Sequence, residues 1–78
     1  MKIKILYFGI YRDITGKTSE IIDFDGKYLN DLKAYLNKRY SNIMKENVIV
    51  SINYVYVEKN IELKENDEIA IMSPVSGG

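Results

Sequence analysis

The sequence predicts an α+β domain, a mixed sheet with one main helix packed on one face, and three observations predict it. Short segments at both ends of the chain alternate apolar and polar residues, the two-residue period of half-buried strands. One stretch near the middle, Tyr28 to Tyr40, repeats large apolar residues at three- and four-residue steps, the period of an amphipathic helix. The 78 residues, 46% of them apolar, suffice for a single modest core and leave no room for a second.

Lys2-Ile3-Lys4-Ile5-Leu6-Tyr7-Phe8 opens the chain as a strand. Alternation puts Ile3, Ile5 and Tyr7 on one face and Leu6 and Phe8 on the other, so its far end is apolar on both sides and one side is expected to meet a second surface. Gly9 interrupts it. Ile10, Tyr11, Ile14 and the closing Gly16 fit a short helical turn or loop, with Arg12 and Asp13 turned to water. Ser19 to Phe24 resumes the alternation with Ile22 and Phe24 inward, close enough to the first strand for a hairpin. Asp25-Gly26 reads as a turn. In the helix that follows, Leu29, Leu32, Leu36 and Tyr40 form the apolar stripe, opposite Asn30, Asp31, Lys33, Asn37 and Lys38. Asp31 early and Lys38 and Arg39 late complement the helix dipole.

A polar connection from Ser41 to Asn47 leads to a β-branched strand, Val48 to Ile52. Asn53-Tyr54 then makes a tight turn into Val55-Tyr56-Val57. Leu63 anchors the next loop, and in Lys64-Glu65-Asn66-Asp67 the asparagine suits a left-handed turn position. Glu68 to Met72 is the last strand, with Ile69 and Ile71 toward the helix and Ala70 and Met72 away. Strand, strand, helix, strand, short strand, strand is the order of a β-grasp, or ubiquitin-like, domain, in which the first and last strands run side by side. Residues 1–72 are therefore expected to form the domain, and residues 73–78 a flexible tail leaving from the middle of the sheet.

Composition narrows the chemistry. There is no cysteine, histidine or tryptophan, so disulfides, thiolate catalysis and the commonest metal ligands and general base are excluded. A self-contained enzyme is not expected, and neither is a bound metal or cofactor. Eleven basic and eleven acidic residues cancel, which argues against nucleic-acid binding. The charge is uneven: residues 1–45 hold nine Lys/Arg and five Asp/Glu, the remainder two Lys and six acids. Glu62, Glu65, Asp67 and Glu68 are expected to form a negative rim near the base of the tail. With no long apolar run and no leader-like start, no membrane association and a cytoplasmic location are expected.

The run Ser73-Pro74-Val75-Ser76-Gly77-Gly78 closes the chain. Six residues extend about 20 Å at ~3.3 Å each, far enough to enter a cleft in another protein. Two successive glycines, lacking Cβ atoms, can pass a narrow tunnel and adopt angles closed to other residues.

Three stretches carry a resemblance: Leu6-Tyr7-Phe8-Gly9 with Arg12-Asp13 and Thr15-Gly16; Val50 to Tyr54; and Leu63 through Glu65-Asn66-Asp67-Glu68-Ile69 to Pro74-Val75-Ser76-Gly77-Gly78. In them the chain resembles the MoaD/ThiS-type sulfur carriers of the ubiquitin-like fold, most closely the branch of molybdopterin synthase small subunits, also called molybdopterin-converting factor subunit 1. Two positions depart from that pattern: Asn66 stands where glycine is common, and Ser73 where a second proline is frequent.

The resemblance implies that a partner E1-like enzyme uses ATP to adenylate Gly78. A sulfur donor then converts the terminus to a thiocarboxylate, with Gly77 needed beside it. The carrier would deliver sulfur to cyclic pyranopterin monophosphate, held by the synthase large subunit, in molybdopterin (molybdenum or tungsten cofactor) biosynthesis. Leu6, Phe8, Ile49 and Met72 are the candidate docking face, extended by Pro74, Val75 and Ser76. Two other functions share the fold and tail: sulfur carriage for thiazole synthesis in the thiamine pathway, and protein modification through Gly78.

Overall fold

The structure, a computed structural model, describes residues 1–41, 43–44 and 47–74. Five strands and two helices follow in the order β1 (Lys2–Tyr7), α1 (Ile10–Thr15), β2 (Ser19–Asp23), α2 (Leu29–Arg39), β3 (Ile49–Ile52), β4 (Val55–Val57) and β5 (Glu68–Met72). The sheet order is β2-β1-β5-β3-β4. Only the β1–β5 pair is parallel, so the sheet is mixed and the last strand lies at its centre, beside the first.

Alternation sets the two faces. Ile3, Ile5 and Tyr7 of β1, Ile22 of β2, Val50 and Ile52 of β3, and Ile69 and Ile71 of β5 are buried on the inner face. Leu29, Leu32 and Leu36 of α2 close over them, with Phe24, Ile43 and Leu63 completing the core. Two of the left-handed positions carry residues that tolerate them: Gly16 caps α1 at φ 73°, and Asn66 turns into β5 at φ 69°. The start of α2 is held by Asp31, whose carboxylate accepts the backbone N–H groups of Tyr28 (2.8 Å) and Lys27 (3.0 Å). Those two bonds hold its carboxyl below the usual range.

Several sequence expectations need correction. Of the two readings left open after Gly9, the helical one holds, a short helix closed by Gly16, but it turns only Tyr11 inward and leaves Ile10 and Ile14 half exposed. Asp25-Gly26 is not a turn: residues 24–27 run without one. Gly26 is instead a close-approach site, because a Cβ there would overlap the Phe24 ring and come within 2.7 Å of the Asp31 Cβ. Tyr40 ends the helix as its C-cap, half-buried, and turns its hydroxyl to a polar cluster.

The acidic rim is the largest displacement. Glu65, Asp67 and Glu68 lie at the start of β5, whereas the tail leaves after Met72, at the other end of the strand. Five steps of ~3.3 Å put about 16 Å between Glu68 and Ser73. The acids bind loops instead: Glu65 accepts the N–H of Lys2, and Asp67 accepts the N–H of Lys64 and the side-chain amide of Asn53. Glu62 lies farther back still, bridged to Tyr28.

Candidate partner-docking face at the tail root

The outer face of the sheet, opposite α2, follows from the register. Leu6 pairs with Ala70, Ala70 with Ser51, and Ser51 with Tyr56, one row across four strands. Toward the chain's exit the next row brings Met72 beside Ile49. Small residues at Ser51 and Ala70 lower the middle of this surface, leaving a groove of about 200 Å³. Leu6, Phe8 and Met72 wall it on the tail side, while Tyr54, Tyr56 and Glu68 bound the rest.

Of the predicted docking residues, Leu6 and Met72 are half-buried, Phe8 is 39% exposed, and all three line this groove. Ile49 shares their face through Met72, yet its side chain lines a different depression with Leu29, Lys33 and Val57. Pro74 is exposed at the root of the tail. Val75, Ser76, Gly77 and Gly78 lie outside the described residues. The sequence reading missed Ser51, Ala70, Tyr54 and Tyr56. Its signal was available: Ala70 stands on the outer face of an otherwise large-residue strand, and a small residue there makes a hollow.

Charge at the exit is basic. Arg12 donates its Nε–H to the carbonyl of Tyr7 (3.0 Å) and lays its guanidinium over the Phe8 ring, 5.5 Å from the centroid. One backbone bond, from the N–H of Phe8 to the carbonyl of Ile71 (3.1 Å), ties this corner to β5. At the opposite end of the groove Tyr54 and Glu68 line the wall together, and the Glu68 carboxylate raises the phenol pKa. Among the described residues there is no group of three or more Asp, Glu, His or Cys placed to hold a metal ion. None of the described helices is long and apolar enough to cross a membrane.

The arrangement offers an apolar recess continuous with a chain exit on the central strand, bordered by one cation. Residues 5–78 match the model of the ThiS family, almost the whole chain. The chain belongs to the ThiS family. This ThiS-family chain is 34% identical to the molybdopterin synthase sulfur carrier subunit of Chlamydomonas reinhardtii, over 100% of each chain. It superposes on one chain of a complex of subunits 1 and 2 of molybdopterin-converting factor from Helicobacter pylori with a TM-score of 0.71, at 25% identity and 100% coverage of both. It also shares the ubiquitin-like β-grasp fold with small archaeal modifier protein 1 of Haloferax volcanii, at a TM-score of 0.81, 19% identity and 100% coverage of both.

Proposed function

We propose that this chain is a sulfur carrier and acts as the small subunit of molybdopterin synthase. One observation carries the reading: the central strand β5 ends at the apolar recess of Leu6, Phe8 and Met72 and launches there the segment that ends in Gly77-Gly78. The names of the Chlamydomonas relative and of the Helicobacter complex support this pathway over thiazole synthesis.

Gly78 is the reacting residue. A free carboxylate is a poor acyl donor, so it first attacks the α-phosphorus of ATP on an E1-like partner, and pyrophosphate leaves. A sulfide equivalent from the sulfur donor then attacks the acyl carbon and AMP leaves, giving a thiocarboxylate. At neutral pH its sulfur is ionised and more nucleophilic than oxygen. It attacks a carbon of cyclic pyranopterin monophosphate on the large subunit, the C–O bond to that carbon's oxygen substituent breaking as the C–S bond forms. Water then hydrolyses the resulting thioester, leaving the sulfur on the pterin and returning the Gly78 carboxylate. This chain has no histidine or cysteine, so proton transfers fall to the large subunit. ATP is consumed by the activating partner, and this chain binds no cofactor. The recess with Pro74, Val75 and Ser76 docks the partners.

Sulfur transfer to cyclic pyranopterin monophosphate, reconstituted with the large subunit, tests the proposal. Deleting Gly78 abolishes transfer, and Gly77→Ala lowers it by about tenfold or more through misplacement of the terminus, with the fold intact. Undiminished transfer by the deleted chain refutes the role. Recovery of Gly78 joined to many cellular lysines would favour protein modification instead.

A further inference from the structure

The turn between β3 and β4 holds a residue that its backbone disfavours. Asn53 and Tyr54 have φ of 50° and 70°. Two successive positive values belong to the type I′ hairpin turn, whose second position glycine fills most readily. Asparagine tolerates that region, and Asn53 is fully occupied there: its Oδ1 accepts the N–H of Glu68 (3.0 Å) and its amide donates to Asp67 (2.9 Å). A tyrosine at the next position sets its Cβ against the backbone. Its side chain does nothing for the core, since the residue is 86% exposed. It stands at the end of the outer-face groove, which it lines together with Glu68.

We infer that Tyr54 is a docking residue, the end wall of the groove, and that it receives an apolar segment of the large subunit laid along β5. The inference rests on the function proposed above. A partner that grips the chain beyond Met72 already lies over Met72, and from there the low floor of Ala70 and Ser51 continues without a break to Tyr54. An aromatic ring with a polar tip suits such a place, because it offers broad apolar area while its hydroxyl can keep to the solvent at the rim. Glu68 beneath it gives this end of the groove a negative charge, so the partner segment carries a basic group there. The strain at φ 70° is thus retained for recognition, which predicts opposite signs for stability and binding.

Tyr54→Gly and Tyr54→Phe, each titrated against the separately purified cognate large subunit and melted in parallel, provide the test. Glycine relieves the left-handed strain and gives back part of the gain as chain entropy, so Tyr54→Gly melts about 2–4 °C higher. The same variant binds about tenfold more weakly or worse, while Tyr54→Phe keeps affinity within about threefold. A smaller loss for Tyr54→Gly, or a lowered melting point, overturns the inference. So does a Tyr54→Phe variant as weak as Tyr54→Gly. A wild-type chain that does not bind the large subunit overturns the function proposed above and this inference with it.

Discussion

The carboxylate of Glu20 collects four donors from three parts of the chain. Its Oε2 accepts the hydroxyls of Tyr7 and Tyr40, and its Oε1 faces Arg39 at 2.9 Å and Lys17 at 3.3 Å. The Tyr7 and Tyr40 rings meet edge to face above it. Burial alone would push the Glu20 carboxyl up, but the phenols, Lys17 and the Arg39 charge outweigh it and hold the group below the usual carboxylate range. Burial and the same contact push the Tyr7 phenol far up, so it remains a donor. A carboxyl lowered by folding contributes stability that is complete above its unfolded pKa, about 4.3, and is lost as pH falls through the folded value. The urea midpoint is therefore flat from pH 7 to about 5 and falls below about pH 4. Glu20→Gln lowers the unfolding free energy by about 1–3 kcal/mol at pH 7 and flattens the acid limb. An unchanged acid limb in Glu20→Gln would assign the pH dependence elsewhere. The sequence reading named only Ile22 and Phe24 as inward in this strand and passed over Glu20, whose partners lie 3 to 20 residues away, where periodicity carries no information.

At the scale of elements, strand and helix positions were legible because each carries its own period. Leu29, Leu32 and Leu36 could be placed against the sheet from their spacing alone, and all three are buried. Leu36 is 0% exposed, so Leu36→Ala costs about 2–5 kcal/mol, a large share of the stability of so small a domain, read by chemical denaturation. Gly26 is different, because local sequence does not carry its reason. A glycine after an aspartate has the signature of a turn, yet its reason here is the Phe24 ring, which only the packed structure brings near. Gly26→Ala is destabilising by about 1–3 kcal/mol through overpacking, although φ there lies outside the left-handed region; a neutral result would show that the ring yields freely. The acidic residues before β5 misled for a related cause. Five residues are near in sequence, but an extended strand carries them to the other end of the sheet.

For the whole molecule, the β-grasp topology makes the last strand a central one, which is the placement the proposed carrier role of the terminus requires. The tail root is braced on both sides, by β1 and β3, and opens beside a recess that the domain itself leaves uncovered. The outer-face positions of Leu6, Phe8 and Met72 were legible from alternation, whereas the hollow between them depends on cross-strand register at Ser51 and Ala70. Phe8 is partly exposed, so Phe8→Asp leaves the melting point within about 4 °C yet weakens large-subunit binding by tenfold or more; equal binding would remove this face from docking. The central claim is that Gly78 carries the sulfur, and intact mass tests it most directly. After incubation with the activating enzyme, ATP and a sulfur source, the chain should gain about 16 Da, one oxygen exchanged for sulfur, as the terminal acyl chemistry requires. The Gly78-deleted chain should gain nothing. A full-length chain whose mass never changes, or a deleted chain that gains the same increment, would contradict the account.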